Sequence, residues 1–354
     1  MKNQYCVIMA GGVGSRFWPL SRANKPKQFV DAMGIGKTFI QMTYERFARF
    51  IPKENFIVVT GAGYKDLVLE QLPMLTEDQI LLEPCRRNTA PCIALATYAI
   101  KQKNPEAVVV VTPSDQLILD VPAFEDVVKQ NVVYAANHDA LLTIGITPSY
   151  PATGYGYIEV APGTEAIRKV TAFKEKPELA KAKDFLQAGN YVWNSGMFVW
   201  SVNAIDQAFQ KHLPKIGAGF EKCMADGGTQ ELINDAFEQS QSISIDYGIM
   251  EKASNVFVSP ADFGWSDVGT WGSLYEQLEK EEAGNAISGA EALLYETESC
   301  LVKQLNTGKL VVVDGLTDYM VVDTDDVLMI CRKDSETRVK ELIEDVVSKN
   351  KHLS

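Results

Sequence analysis

The sequence predicts an α/β fold: an open, mostly parallel mixed sheet covered by helices on both faces, followed by a small β-rich appendage at the C-terminal end. Three observations carry this prediction. Short apolar runs bounded by turn residues recur between residues 5 and 144, and amphipathic stretches of helical spacing lie between them. Beyond Asn285 only short strand-like pieces and one closing helix remain.

Tyr5 to Met9 is the first buried-strand run, and it passes directly into the glycine loop Ala10-Gly11-Gly12-Val13-Gly14-Ser15-Arg16. Ile40 to Phe50 follows, with Ile40, Tyr44, Phe47 and Ala48 on one helical face. Phe56 to Thr60, Ile80 to Leu82, Val108 to Val111 and Leu141 to Ile144 are further strands, and Ala90 to Lys101 and Phe124 to Ala136 further helices. Strand–helix alternation of this kind builds parallel sheets, whose ligands sit beyond the carboxyl ends of the strands. The Gly11 loop falls there. From Thr153 to about Ser201 the texture changes to glycine- and aromatic-rich strands and turns. Helical material returns from Ala204 to Glu238 and again from Gly269 to Glu282, and Ala283-Gly284-Asn285 marks a junction. Short strands are expected at Cys300 to Lys303, Leu310 to Val313, Tyr319 to Val322 and Val327 to Cys331, with a closing helix from Glu336 to Ser348. Val312-Val313-Asp314 recurs as Val321-Val322-Asp323, a weak repeat. The expected division is 1–283 for the main domain and 284–354 for the appendage.

Composition limits the function classes. At 354 residues the chain has room for two domains, and its 46% hydrophobic and 23% charged content is that of a globular protein. No apolar run approaches the roughly 20 residues of a membrane span, and no cleavable leader is expected before the first strand. A net charge of −12 disfavours extended nucleic acid. Six cysteines (Cys6, Cys85, Cys92, Cys223, Cys300, Cys331) form no C-x-x-C pair, so free thiols in a reducing cytoplasm are expected. Three scattered histidines, His138, His212 and His352, argue against a His-based zinc site or a Ser-His-Asp triad.

Charge distribution points to one small anion site. The first 30 residues hold five Lys or Arg and no Asp or Glu, in an otherwise acidic chain. Neither common phosphate motif fits: Phe17 stands where a dinucleotide fingerprint needs its third glycine, and Asp31 where a P-loop ending in Gly36-Lys37-Thr38 needs its first. What remains is a strand, a loop with three glycines and an arginine, a nest suited to a nucleoside triphosphate. Asp115, directly after the apolar run Val108 to Val111, is placed to hold a hard cation such as Mg²⁺, or to cap a helix or turn. Asp267, in Phe263-Gly264-Trp265-Ser266-Asp267-Val268-Gly269, is a second such carboxylate; two of them beside a triphosphate nest suggest a metal bridging phosphates.

These motifs recur in the order of a known family. The Gly11-Gly12-x-Gly14-x-Arg16 loop, Pro26-Lys27-Gln28, Glu83-Pro84-x-x-Arg87-Asn88-Thr89-Ala90-Pro91, Pro113-Ser114-Asp115, Gly154-Tyr155-Gly156-Tyr157-Ile158, Phe173-x-Glu175-Lys176-Pro177, Trp193-Asn194-Ser195-Gly196-Met197-Phe198 and Phe263 to Trp271 span nearly the whole chain. In this the chain resembles the sugar-nucleotide pyrophosphorylases, and among them the guanylyltransferases acting on mannose 1-phosphate, in their shorter form without a fused isomerase domain. Gln116 departs from the pattern, since many relatives carry histidine after the aspartate.

The resemblance implies a Rossmann-like, GT-A-like nucleotidyltransferase domain with a C-terminal β-helix-like element. It implies the reaction of GTP with mannose 1-phosphate to give GDP-mannose and pyrophosphate, dependent on Mg²⁺ at Asp115 and Asp267. Arg16 and Lys27 would bind the triphosphate and the departing pyrophosphate, assisted by backbone N–H groups of Gly11, Gly12, Gly14 and Ser15. Guanine offers N1–H and N2–H₂ on one edge, a donor pair that Glu83 can accept, whereas uracil or thymine presents an N3–H between two carbonyls. Asn88 and Thr89 would add base or ribose contacts, with Thr89 also suited to capping the helix that follows. Gly156 would admit the hexose, Glu175 and Asn194 would bind its hydroxyls, and Lys176 would neutralise the attacking phosphate. Asp246 matches a family segment and receives no role beyond shaping the pocket. A cytoplasmic homodimer is expected, with no nucleic acid or membrane partner. The competing readings are a relative with another base or sugar, and a silent sugar-nucleotide-binding regulatory homologue.

Overall fold

The computed structural model describes residues 3–12, 14–289, 291–305, 308–333, 336–350 and 353. In chain order its regular elements begin with β1 (Gln4–Ala10), α1 (Phe39–Ala48), β2 (Phe56–Gly61), α2 (Lys65–Gln71), β3 (Ile80–Glu83), α3 (Thr89–Lys103) and β4 (Val108–Pro113). There follow β5 (Leu117–Ile118), α4 (Val121–Asn137), β6 (Leu141–Ile146), β7 (Tyr157–Val160), β8 (Arg168–Lys174), α5 (Leu179–Ala188) and β9 (Tyr191–Ser201). Helices α6 (Val202–His212), α7 (Pro214–Ala225) and α8 (Gln230–Gln239) lead to β10 (Val256–Ala261), β11 (Trp265–Ser266) and α9 (Trp271–Gln277). The chain closes with β12 (Ala286–Ser288), β13 (Glu291–Tyr295), β14 (Leu301–Gln304), β15 (Leu310–Asp314), β16 (Tyr319–Asp323), β17 (Leu328–Arg332) and α10 (Glu336–Lys349).

These elements form two compact units interleaved in sequence. The first comprises Met1–Gly11, Thr43–Ser114 and Ile118–Trp265. It is built on one nine-stranded sheet of order β3-β2-β1-β4-β9-β6-β10-β8-β7. β3, β2, β1 and β4 run parallel, with Cys6 opposite Phe56 and Val7 opposite Val111. All four are near-continuous apolar runs, as strands covered on both faces must be. The order reverses at β1, so the loop after β1 and the end of β4 form the topological switch point. The far half is mixed: β9 runs antiparallel to β4 and β6, while β10 is parallel to β6. A register shift between Thr143 and Gly145 on β6 interrupts its ladder with β9, opposite Asn194.

The expected helices and strands of the first 150 residues are all present within two or three residues of their predicted ends. The 153–201 stretch differs, because it contains α5 among its strands, closed by Gly189 at φ 71°. Only Ala182 and Phe185 of that helix are buried, so it contributes little to the core although its apolar residues are helically spaced.

The second unit comprises Gly12–Met42, Asp115–Leu117 and Ser266–Ser354. β12, β14 and β16 stack in parallel, Ala286 opposite Leu301 and Leu301 opposite Met320, with β17 antiparallel on β16. β13 and β15 form a second parallel pair. Parallel strands joined by such short connections, with no crossover helix, are coils of a β-helix. The repeated Val-Val-Asp segments lie on β15 and β16, in different sheets, and do not pair. Ala286, Leu301, Met320 and Val322 share an apolar core with Phe17, Trp18, Leu20, Phe39 and Trp271. The residues after the first glycines therefore fold with the C-terminal strands: Trp271 Nε1 donates to the Trp18 carbonyl at 3.1 Å, and the Phe17 and Trp271 rings lie 5.2 Å apart.

Among the described residues no helix is long and apolar enough to cross a membrane. The six thiols are free; Cys6, Cys92, Cys223 and Cys300 are buried and Cys85 is exposed.

Candidate active site

Within the second unit, Lys27 is the organising group. Its side chain is 3% exposed, enclosed by the Phe17 and Phe39 rings at 5.4 and 4.8 Å. An ammonium so placed needs partners for all three protons. It donates to the Asp115 carbonyl at 3.0 Å, to Asp115 Oδ2 at 3.1 Å and to the Asp267 carbonyl at 2.6 Å. The two carboxylate segments proposed for metal are thus held by one buried lysine. Asp267 Oδ1 also accepts from the Gly269 N–H at 3.1 Å, fixing its rotamer.

The loop that carries Arg16 is held just as firmly. Gly14 has φ 57°, and a Cβ there would overlap the Cβ of Lys27, so the position requires glycine on both counts. Its carbonyl accepts from Ser21 Oγ at 2.6 Å and from the Phe17 N–H at 3.0 Å, and Gln28 Nε2 donates to the Gly12 carbonyl at 2.9 Å. Ser15 and Arg16 lie in the short 3₁₀ turn Ser15–Phe17, with the Arg16 side chain exposed. Among the described residues no ion pair neutralises it.

In the first unit Glu83 ends β3 and is 9% exposed. A Cβ on Gly11 would lie 2.7 Å from Glu83 Oε2, so glycine at that position lets the carboxylate reach the end of β1. Burial pushes the Glu83 carboxyl up to about 7, against the opposing pull of Arg86 and a hydrogen bond from Cys92. Asn88 and Thr89 stand at the start of α3. Asn88 has φ 60° and ψ −166°, costly for a residue with a side chain, and its Nδ2 donates to Ser242 Oγ at 2.9 Å. Thr89 Oγ1 accepts from the Ile245 N–H at 2.8 Å, and Ala90 N–H donates to the Ile243 carbonyl at 3.1 Å. Thr89 therefore ties the 243–245 segment to α3 rather than capping its own helix.

A third cluster, also in the first unit, joins residues far apart in sequence. A Cβ on Gly156 would lie 2.6 Å from Glu175 Oε2 and 3.5 Å from the Asn194 Cβ. Lys176, at φ 42°, pairs with Glu175 at 2.9 Å. Asn194 Nδ2 donates to Asp246 Oδ1 at 2.8 Å. Burial and then the charge of Glu175 push the Asp246 carboxyl up to about 6. Sequence alone gives Asp246 no role beyond shaping the pocket, and it does not single out Thr143, whose buried hydroxyl lies 3.0 Å from Asn194 Oδ1. The signal for Thr143 is a polar residue inside the apolar run Leu141 to Ile144.

Positive φ at non-glycine residues is a further pointer. Among the described residues Asn88, Lys176 and Val268 are three of six such positions, and each is a candidate or adjoins one.

A carboxylate at the end of β3, a buried Lys–Asp cluster after a glycine loop, and a polar cluster of Glu, Asn and Asp are each compatible with nucleotidyl transfer. The chain belongs to the Nucleotidyl transferase family, whose model matches residues 5–284, and residues 290–346 match the MannoseP isomerase/GMP-like beta-helix domain. Within that family it groups with the mannose-1-phosphate guanylyltransferases. It is 37% identical to the mannose-1-phosphate guanylyltransferase of Escherichia coli K12 over 98% of this chain and 74% of that protein. It is 37% identical to the alginate biosynthesis protein AlgA of Pseudomonas aeruginosa over 96% of this chain and 71% of the relative. A crystal structure from Thermus thermophilus, described as a mannose-1-phosphate geranyltransferase, superposes with a TM-score of 0.87 at 30% identity, covering 97% of this chain and 99% of that one.

Proposed function

We propose that the chain converts GTP and α-D-mannose 1-phosphate to GDP-mannose and pyrophosphate. A sugar-phosphate oxygen attacks the α-phosphorus in line with the departing group; the α–β bridging bond breaks and pyrophosphate leaves with its electron pair. Such a transfer asks for positioning and charge neutralisation rather than a protein nucleophile. The observation that carries the base assignment is Glu83, held at the end of β3 with Gly11 leaving it room. Its carboxylate accepts the two parallel N–H donors of guanine and repels the carbonyls of a pyrimidine, and Asn88 and Thr89 add base or ribose contacts.

Arg16 takes the triphosphate and then the pyrophosphate, with the N–H groups of Gly11, Gly12, Gly14 and Ser15 as neutral donors, and Lys27, its three protons held by Asp115 and Asp267, acts on them through its charge. Glu175 and Asn194 bind the hexose hydroxyls over Gly156, and Lys176 holds the sugar phosphate as it attacks. Nucleotidyl transferases generally use a divalent metal, and the hard oxygen donors of Asp115 and Asp267 suit Mg²⁺, which takes one or two carboxylates and completes its shell with phosphate and water. Bound there, Mg²⁺ would neutralise phosphate charge. We assign catalysis to 1–283 and the β-helix-like coils to 284–354. Exposed Leu293, Leu310, Val312, Leu328 and Ile330 on those coils support a homodimer, and free buried thiols support the cytoplasm.

Pyrophosphate release measured across GTP, ATP, UTP and dTTP, each with mannose 1-phosphate and glucose 1-phosphate, tests the reading. GTP with mannose 1-phosphate should lead the panel, and a preference for UTP or dTTP would overturn the role of Glu83.

A further inference from the structure

Asn194 is the residue expected to read sugar hydroxyls, yet most of its amide is already engaged. Its Oδ1 accepts the Gly196 N–H at 3.2 Å and lies 3.0 Å from Thr143 Oγ1. That hydroxyl has one proton to share between Asn194 Oδ1 and the Met197 carbonyl at 3.1 Å, so the Gly196 N–H is what fixes which end of the amide is oxygen. Nδ2 then points at Asp246 Oδ1, 2.8 Å away, and one N–H is left to offer. Gly196 can hold this turn because its φ is 72°.

Asp246 sits one residue after Ile245, whose N–H is clamped by Thr89. The carboxylate is therefore delivered from the 243–246 segment, which α3 anchors, onto an amide carried by β9. Glu175 and Lys176 are the charged groups that act on it. Without an acceptor at that point, the amide keeps only its Oδ1 contacts and can swing about its terminal torsion, which is broad for asparagine.

We propose that Asp246 is a positioning residue for the sugar, acting through Asn194: it fixes the amide so that its remaining N–H is aimed at a hydroxyl of the hexose 1-phosphate. This rests on the hexose 1-phosphate reading of the Glu175–Asn194 cluster. It divides the work there. Asn194 is the donor to the sugar, and Glu175 beside Gly156 is the acceptor.

The test is steady-state kinetics with GTP and mannose 1-phosphate varied separately. Asp246→Ala should raise KM for mannose 1-phosphate about tenfold, the loss of one charge-assisted hydrogen bond, and leave KM for GTP within about twofold. Asp246→Asn keeps an acceptor oxygen for Asn194 Nδ2, so it should stay within about threefold of the wild type. In Asn194→Ala, adding Asp246→Ala should change KM for the sugar no further, because the group it acts through is gone. Should Asp246→Ala fail to fold, Thr143→Val removes a different tether of the same amide and should raise KM for the sugar alone by several-fold. Asp246→Asn as damaging as Asp246→Ala, multiplicative effects in the double variant, or an equal rise in KM for GTP would each overturn the positioning role. A wild-type chain that turns over no hexose 1-phosphate with GTP overturns the functional reading and this inference with it; an active wild type with any of the preceding outcomes overturns this inference alone.

Discussion

At the scale of single residues, Glu83 makes the sharpest prediction. A carboxyl raised from its ordinary value of 4.5 to about 7 binds its proton more tightly in the folded chain than in the unfolded one. Stability from this group is therefore present below pH 4.5 and lost as pH rises to 7, by about 3 kcal/mol in all. Glu83→Gln removes that loss, keeps an acceptor for the Cys92 thiol, and should raise the melting temperature at pH 8 while changing little at pH 5. On the proposed role of Glu83 the same substitution also removes the charge offered to the guanine edge, so KM for GTP should rise by tenfold or more at pH 8. A gain in stability with a loss of nucleotide affinity is a signature that a merely structural glutamate would not give. For the wild type, KM for GTP should climb as pH falls below about 7, because the protonated carboxyl accepts less well.

Lys27 shows what can and cannot be read from the sequence. Its place after the glycine loop marks it for phosphate, as it does Arg16. What Pro26-Lys27-Gln28 cannot reveal is that all three ammonium protons meet Asp115 and Asp267, since those partners lie 88 and 240 residues away. Asp246 is opaque for the same reason. It opens a single π-helical turn, Asp246–Met250, that local sequence does not announce, and its meaning comes from Asn194, 52 residues earlier.

At the scale of elements, legibility follows burial. β1, β2, β3 and β4 are apolar runs ended by turn residues, and β-sheet physics leaves such runs few alternatives. α5 is not legible although its apolar residues are helically spaced, because it is a ten-residue helix with two buried side chains set among glycine- and aromatic-rich strands. Four of the six C-terminal strands are visible as apolar runs, but β12 and β13 are not, and the pairing is not, since parallel rungs depend on register across turns rather than on local pattern. Asn285, in the tripeptide read as a junction, proves to be a buried tie within those coils. Its Nδ2 donates to the Thr297 carbonyl at 2.7 Å and to Glu281 Oε1 at 2.6 Å, and its Oδ1 accepts the Cys300 N–H at 2.8 Å. Asn285→Ala strands a buried carbonyl and a buried N–H, and should cost about 2–4 kcal/mol in urea unfolding. Gly14→Ala should act on the loop instead. The new methyl meets Lys27 in a backbone region hostile to it, so turnover should fall at least tenfold with about 1–2 kcal/mol of stability lost. Unchanged turnover in Gly14→Ala would mean that the loop does not contribute to catalysis.

At the scale of the whole molecule, the −12 net charge and the basic first 30 residues combine with the Lys27 cluster to predict how metal and nucleotide should act on stability. Lys27 already supplies a counter-charge to Asp115 and locks the Asp267 backbone, so the fold does not need a cation to neutralise these carboxylates. Chelation should leave the melting temperature of the nucleotide-free protein within about 1 °C. Turnover should nevertheless vanish, because the triphosphate brings negative charge that Arg16 and the loop N–H groups cannot balance alone. A ligand at 100 times its dissociation constant stabilises by about 2.7 kcal/mol, which for a chain of this length corresponds to about 3–4 °C. GTP should produce that shift with Mg²⁺ and far less with chelator. Asp115→Asn and Asp267→Asn should abolish the Mg²⁺-dependent part of the shift and cut turnover about a hundredfold or more. Full turnover in both variants would remove the metal assignment. A chelator that melts the nucleotide-free protein would instead show that the cation is structural, and that Lys27 does not satisfy the cluster by itself.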